Sequence, residues 1–175
     1  DKATVAAHLV LKNNANITLE DGQKSTYETV TLDDSRLNAS IWSADNTFKT
    51  VTVNEGSIFN ITKLNSRVDL KSDADLPKDQ LLIARDQSFT YDHAQMHVAG
   101  KVFTGNLKVG TLDQKGTVTL KGGEHNFSKL TVGAKESAFN LGEKAVVTVG
   151  GLHLYHGKDQ AGKVVVNDST LINTG

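Results

Sequence analysis

The sequence lacks cysteine altogether and contains a single proline among its 175 residues. The missing cysteine excludes disulfide bonds, thiolate metal sites and a cysteine nucleophile. Glycine is frequent, with 15 residues, and asparagine, threonine, aspartate and serine are abundant. Because glycine and asparagine tolerate positive φ angles, this composition is typical of many short strands joined by tight turns.

The sequence also lacks a charge bias and a long apolar run. Its formal net charge is -1, and basic and acidic residues are interspersed. A protein that binds nucleic acid or an acidic lipid surface needs a dense cluster of positive charge. We therefore expect neither partner. No apolar run approaches the roughly 20 residues that span a bilayer, so we expect no membrane insertion by this segment.

What the sequence does contain is a repeat of about 20 residues. Residues 27–41 (YETVTLDDSRLNASI) align with residues 48–62 (FKTVTVNEGSIFNIT) at an offset of 21 residues. The aligned pairs are Tyr27 with Phe48, Val30 with Val51, Leu32 with Val53, Ser35 with Gly56 and Leu37 with Ile58. Three further segments repeat the pattern: 127–141, in which Phe139-Asn140-Leu141 matches Phe59-Asn60-Ile61, 103–112 and 163–173.

One repeat reads as a strand, a corner and a second strand. Side chains alternate in a strand, so Val51 and Val53 point to one face and the threonines between them to the other. Asn54-Glu55-Gly56 has the chemistry of a corner. Phe48, Val51, Val53 and Ile58 would then form one layer of a stacked core, with the aromatic residues in an internal column.

One such unit cannot bury its apolar face alone, whereas stacked copies can. The sequence therefore predicts an all-β fold, a parallel β-helix (β-solenoid) formed by residues 1–175 as a single segment. The alternative is a β-sandwich, whose strands also recur at short intervals. Neither end resembles a polar capping element, so we expect a segment of a longer solenoid.

The repeat is interrupted at residues 73–101. Residues 73–86 (DADLPKDQLLIARD) contain the only proline and a compact apolar cluster. The stretch is either a protruding loop or an irregular, longer rung with a strand at LLIA. Insertions in repeat folds often carry specificity.

Three segments, TVTVNEGSIFNI, KLTVGAKESAFNL and KVVVNDSTLIN, resemble rungs of the passenger region of bacterial autotransporters. Those regions are right-handed parallel β-helices on the surface of Gram-negative bacteria. The resemblance covers most of the chain outside 73–101. It implies a secreted or cell-surface role in adhesion, self-association or virulence. Some members carry a serine protease domain before the helix, and its GDSGSP-like motif is absent here.

The sequence does not point to an enzyme. No G-x-S-x-G elbow occurs, and Asp34-Ser35 and Asp168-Ser169 have turn chemistry. The NTD, DD, GHG and RIK patterns of polygalacturonases are missing apart from a lone Asp33-Asp34, and the GGxGxD calcium repeat is missing too. A carbohydrate-active β-helix enzyme stays as an alternative.

No cofactor or metal ligand set is predicted. His153 and His156 would diverge on a strand, and His93 and His97 would share a face of an extended segment about 13 Å apart. We therefore expect surface histidines. Five N-x-S/T sequons begin at Asn16, Asn38, Asn60, Asn126 and Asn167. They indicate either glycosylation or only the abundance of these residue types.

We expect any interaction surface on outward threonines or at the interruption of the repeat. The outward threonines would include Thr131 and Thr148. The candidate residues are Thr50, Thr52, Thr117 and Thr119, together with Leu76, Pro77, Lys78, Asp79 and Gln80. Wide polar contacts are individually weak and gain strength by repetition.

The sequence thus predicts a non-enzymatic segment of a surface protein that acts in adhesion or self-association or as a rigid stalk. Its partner would be a host-cell receptor, a glycan or a like molecule on a neighbouring cell. The alternatives are the stalk of a secreted serine protease and a carbohydrate-active enzyme.

Overall fold

The computed structural model describes residues 6–20, 25–41, 46–62 and 80–175. These residues form nineteen β-strands, and no helix occurs among them. The strands are β1 Ala6–Leu11, β2 Asn16–Thr18, β3 Ser25–Leu32, β4 Arg36–Ala39, β5 Asn46–Val53, β6 Ile58–Ile61, β7 Gln80–Ile83, β8 Gln87–Asp92, β9 His97–Val98, β10 Lys101–Val102, β11 Asn106–Val109, β12 Gly116–Lys121, β13 Glu124–Phe127, β14 Lys129–Val132, β15 Ala138–Gly142, β16 Val146–Val149, β17 Leu152–Leu154, β18 Lys163–Val166 and β19 Thr170–Asn173.

The strands stack as a parallel β-solenoid of about six turns, which confirms the predicted fold and excludes the β-sandwich. A seven-stranded sheet runs in the order β1-β3-β5-β8-β12-β15-β18. The other faces are a five-stranded sheet (β10-β9-β6-β4-β2), a four-stranded sheet (β17-β14-β11-β7) and a three-stranded sheet (β13-β16-β19). We call each successive coil a rung.

The core consists of side chains stacked in columns along the rungs. Two columns line the inner face of the seven-stranded sheet, and each takes one residue from each strand. They are Leu9, Val30, Val51, Phe89, Val118, Phe139 and Val164, and Leu11, Leu32, Val53, Tyr91, Leu120, Leu141 and Val166. Side chains alternate between the two faces of a strand, so the two column residues of each strand, which are two positions apart, both point into the core.

The 21-residue repeat is confirmed for the first strand of the unit. Tyr27 pairs with Phe48, Val30 with Val51 and Leu32 with Val53. Tyr27 and Phe48 stack with ring centroids 5.1 Å apart. The predicted aromatic stacking is confirmed for this pair. Beyond it, Phe48 contacts Phe59 on another sheet edge to face, with ring centroids 5.5 Å apart.

The prediction for the second strand is wrong by one residue. Leu37 pairs with Phe59 instead of Ile58, and the backbone N–H of Ser35 donates to the Oγ of Ser57 instead of lying over Gly56. Phe59 is fully buried, whereas Ile58 is only half-buried. The corner after β5 is one residue longer than the corner after β3. The residues of β6 therefore pair with β4 one position later than the repeat predicts.

The alignment of residues 127–141 with 48–62 is also wrong in space. Leu130 and Val132 belong to β14 in the four-stranded sheet, whereas Val51 and Val53 lie in the seven-stranded sheet. Phe139 lies on β15 of the seven-stranded sheet, not on the face that holds Phe59. Alternation is the same on every face of a solenoid, so similar strings occupy different faces.

The interruption at 73–101 lies partly outside the described residues, because residues 63–79 are among those not described. The first three residues of the LLIA stretch lie in β7, which pairs in parallel with β11. Farther along, β9 and β10 form an antiparallel hairpin at the edge of the five-stranded sheet. Its two turn residues, Ala99 and Gly100, have φ angles of 51° and 79°, as a two-residue hairpin turn with positive φ requires.

The segment after each strand of the seven-stranded sheet turns the chain toward the next face, and we call it the first corner. All seven first corners contain residues in the left-handed region. They are Asn13, Asn14, Asp34, Gly56, His93, Gly122, Gly123, Glu143, Lys144 and Asp168. Asparagine, aspartate and glycine adopt this conformation at low cost, so the corners explain the composition.

No helix among the described residues is long and apolar enough to cross a membrane.

Candidate interaction surface

The outer face of the seven-stranded sheet carries a regular array of hydroxyl groups on β3, β5, β8 and β12. Strand alternation that places valines and aromatic residues in the core places the intervening residues outside. We call the eight residues the hydroxyl face. They form two columns in register, Thr29, Thr50, Ser88 and Thr117, and Thr31, Thr52, Thr90 and Thr119.

The geometry of the hydroxyl face follows from the sheet. Neighbouring strands are about 4.8 Å apart, and residues two positions apart on one strand are separated by about 6.7 Å. Thr50 is exposed, and the other seven residues are half-buried by their neighbours. All eight side chains are neutral and both donate and accept hydrogen bonds. The result is an uncharged lattice of hydroxyl groups.

Hydrogen-bonding side chains flank both ends of the hydroxyl face. At one end, the Nδ1 of His8 lies 2.8 Å from the Oγ1 of Thr29. At the other end, the Nδ2 of Asn140 donates to the Oγ1 of Thr119 at 3.4 Å. Beyond these residues the outer columns end in Lys163 and Val165 on β18. The polar array is thus bounded within the sheet.

The structure places the predicted threonines together. Thr50, Thr52, Thr117 and Thr119 all lie on the hydroxyl face, whereas Gln80 begins β7 in the four-stranded sheet. The other candidates, Leu76, Pro77, Lys78 and Asp79, lie outside the described residues.

The sequence also predicted that Thr131 and Thr148 point outward, and the two residues differ in exposure. Thr131 is buried on β14, so its predicted exposure is wrong. Thr148 is half-buried on β16 of the three-stranded sheet.

Sequence reasoning missed half of the hydroxyl face. Thr29, Thr31, Ser88 and Thr90 complete the two columns. The signal was present as a T-x-T or S-x-T triplet in each of the four strands: TVT, TVT, SFT and TVT. Aligning the triplets would have found it without any structure.

A second polar cluster lies at the first corners after β8 and β15. Asp92, His93 and Glu143 place their ligand atoms within 4.8 Å of one another. The Nδ1 of His93 is 2.7 Å from the Oδ1 of Asp92 and 4.0 Å from the Oε2 of Glu143. His93 has a φ angle of 53°, so the chain is not extended there and the predicted shared face with His97 is wrong.

The surroundings of His93 raise the pKa of its imidazole. The main cause is the hydrogen bond to Asp92, and the negative charges of Asp92, Glu55 and Glu143 add to it, while desolvation acts in the opposite direction. This corner therefore has a negative potential that favours a positive charge.

His125, on β13, behaves in the opposite way. Its side chain is buried, and its Nε2 lies 3.0 Å from the carbonyl oxygen of Gly122. Burial lowers the pKa of this imidazole, although the hydrogen bond to Gly122 acts in the other direction. His125 is thus a core histidine that is held neutral.

An asparagine ladder occupies the outer face of the five-stranded sheet. The Nδ2 of Asn60 donates to the Oδ1 of Asn38 at 3.1 Å, and the N–H of Gly100 donates to the Oδ1 of Asn60 at 2.8 Å. Asn60 is buried. A glycan has no room there, so for this sequon the structure favours a packing role.

A shallow groove of about 330 Å³ lies at the carboxyl ends of three strands of the four-stranded sheet. Its lining includes Leu112, Ala134, Tyr155 and His156. Leu112 is 69% exposed and Tyr155 is 51% exposed, so the groove is more apolar than the hydroxyl face. It lies on a different sheet from the hydroxyl face.

Comparison of the chain with protein-family models, with curated proteins and with solved structures finds no match.

Proposed function

We propose that this chain is a non-enzymatic β-solenoid segment of a secreted bacterial surface protein and that it contacts its partner through the hydroxyl face. The observation that carries the proposal is the register of eight hydroxyl side chains over four consecutive strands of the sheet. Threonine favours strands, so a single outward threonine needs no functional reason. The proposal rests instead on eight hydroxyl side chains that stand in register in two columns.

The physical mechanism is multivalent contact. A single hydroxyl contact contributes little, because it replaces a hydrogen bond to water. Contacts held at fixed spacing on one rigid sheet add without a renewed cost of alignment, so a repeated partner binds far more tightly than a single group. The absence of charge on the eight residues suits a partner that is itself rich in neutral hydroxyl or amide groups.

Three partner classes satisfy this chemistry: a host-cell receptor, a glycan, and a like molecule on a neighbouring cell. The secreted location and the adhesive role are carried by the resemblance of the rungs to autotransporter passenger regions. The expectation that the chain has no enzymatic activity stays a prediction, as does the carbohydrate-active alternative.

The test changes the charge of the hydroxyl face while leaving the core intact. Thr52→Arg and Thr119→Arg, combined in the protein as displayed on cells, place two bulky cations in one column on β5 and β12. We expect cell clumping and host-cell adhesion to fall by at least about tenfold, because contacts at both positions are lost together.

The matched control uses two residues that are paired in register on the outer face of another sheet. Asn126→Arg and Thr148→Arg, on β13 and β16, add the same charge away from the hydroxyl face. If the control pair abolishes adhesion as strongly as the first pair, or if the first pair leaves adhesion unchanged, the hydroxyl face is not the contact surface.

A stalk is the second candidate function, and the continuous core supports it. Two inner columns run through all seven strands of the sheet, so the segment resists bending at every rung. A stalk acts through its length alone. Arginine on any outer face would then leave adhesion unchanged, whereas deleting whole rungs would reduce the reach of whatever the stalk carries.

A further inference from the structure

We propose that the cluster of Asp92, His93 and Glu143 binds a divalent transition-metal cation of the zinc class and thereby links two first corners of the solenoid. One nitrogen and two carboxylate oxygens lie within 4.8 Å of one another. The chemistry of this donor set and its construction by the fold carry the proposal.

The distances suit a small cation after a modest adjustment. Zinc bonds to nitrogen and carboxylate oxygen at about 2.0–2.2 Å, which places the ligand atoms of a tetrahedral site about 3.4 Å apart. The separations from the Nδ1 of His93, 2.7 Å to Asp92 and 4.0 Å to Glu143, lie on either side of that value. Small rotations of these side chains therefore bring all three ligand atoms into range.

The nitrogen decides the class of cation. Calcium and magnesium take oxygen ligands almost exclusively, whereas imidazole suits zinc, copper and nickel. Three protein ligands leave a fourth position for water, which is the common arrangement of open zinc sites. The site was not predicted from the sequence, because spacing along the chain groups His93 with His97, whereas Glu143 is 50 residues away.

The fold brings these distant residues together through an unusual middle corner. In the sheet, β12 lies between β8 and β15, so the corners that carry His93 and Glu143 are separated by about 9.6 Å, two strand spacings. The corner between them consists of Gly122 and Gly123, which have no side chains. A Cβ at Gly122 would clash with the Nε2 of His93, so the imidazole occupies the place of the missing side chain.

This arrangement lets Glu143 approach the imidazole across an entire rung. A side chain at Gly122 would displace the ring and separate the two ligands. Asp92 and Glu143 thus place two carboxylates beside one imidazole nitrogen, and their negative charge favours a cation.

The experiment titrates the purified chain, freed of metal by a chelator, with zinc chloride. Calorimetry should show one equivalent of zinc bound, and thermal unfolding should shift to higher temperature, because the cation binds the folded state only. His93→Gln and Glu143→Gln should each weaken zinc binding by about tenfold or more. Both positions are exposed, so the metal-free variants should unfold at the temperature of the native chain.

The control is His153→Gln, which removes an exposed histidine on β17 and should leave the zinc affinity unchanged. The proposal is overturned if His93→Gln binds zinc as tightly as the native chain, if the affinity depends on His153 instead, or if calcium binds more tightly than zinc. Because the readouts are affinity and unfolding temperature, the result does not depend on adhesion.

Discussion

The Oγ of Ser137 accepts a hydrogen bond from the backbone N–H of Gly116 at 3.1 Å, across two neighbouring rungs. The same hydroxyl lies 3.4 Å from the carbonyl oxygen of Lys135. Similar pairs occur elsewhere, since Ser57 accepts from Ser35 and Ser169 accepts from the N–H of Ala145. Serine hydroxyls therefore satisfy backbone donors where the strand ladders end.

Ser137→Ala should lower the free energy of unfolding by about 1–3 kcal/mol, because the buried N–H of Gly116 would lose its partner. Ser88→Ala is the matched control: it removes a hydroxyl from the outer face and should change stability by less than about 0.5 kcal/mol. Urea unfolding measures both. Equal stability of the two variants would show that the N–H of Gly116 finds another acceptor.

Leu120→Ala should be among the most damaging single changes. Leu120 is fully buried between Tyr91 and Leu141 in one inner column. Truncation of a buried leucine costs about 2–5 kcal/mol, since the rungs on both sides cannot close the cavity. Thr119→Ala, one residue away and half-buried on the hydroxyl face, should cost about 1 kcal/mol or less. Denaturant midpoints of the two variants that agree would contradict the assignment of inner and outer faces.

Tyr91→Phe should stabilise the chain. The ring of Tyr91 is fully buried, burial raises the pKa of its hydroxyl, and among the described residues that hydroxyl has no hydrogen-bond partner. Its removal should raise the free energy of unfolding by about 1 kcal/mol, the penalty for an unsatisfied buried polar group. The measurement is the unfolding temperature of the two proteins.

The reverse change provides the control for Tyr91. Phe89→Tyr adds a hydroxyl to the neighbouring ring, whose centroid is 6.4 Å away, and should destabilise the chain. A loss of stability in Tyr91→Phe would mean instead that the hydroxyl is hydrogen-bonded in the folded protein.

His125 should make folding stability depend on pH. Its pKa is lowered from 6.5 by burial, so below about pH 6.5 the unfolded chain binds a proton that the folded chain does not. The contribution of His125 to stability is therefore full above about pH 6.5 and falls as the pH drops toward the lowered folded-state pKa. His125→Gln should flatten this dependence in urea unfolding between about pH 5 and 7.

The pH series is run with a chelator, so that any cation bound at His93 does not contribute. His153→Gln, an exposed position, should retain the pH dependence of the native chain. If His125→Gln and His153→Gln show the same slope, the buried histidine is not its source.

Sequence alone was sufficient for the fold because alternation and repetition are local properties. The pairing of Val30 with Val51 and of Leu32 with Val53 follows from aligning two strings of residues. Sequence was insufficient for Ile58, since one added residue in a corner exchanged it with Phe59 at the core. Corner length is decided by backbone geometry that alternation does not encode.

The candidate surfaces divide in the same way. The hydroxyl face appears in the sequence as repeated triplets. Four of its eight residues were predicted, and the triplets identify the other four as well. The contact between His93 and Glu143 was not, because it depends on how many strands separate two corners and on a glycine in the corner between them. Such contacts require the order of strands in the sheet, which a single sequence does not provide.

The β9–β10 hairpin lies at the edge of the five-stranded sheet, where a change in the length of its turn can be accommodated. The five-stranded sheet ends at β10, and the three-stranded sheet begins with β13. Residues added between Ala99 and Gly100 would enter an exposed turn. They would disturb the hydrogen bond from the N–H of Gly100 to Asn60 but leave the parallel pairing of the other strands unchanged. The turn is therefore a natural grafting point, where a foreign peptide could be displayed from the side of the solenoid while the strands on either side keep their pairing.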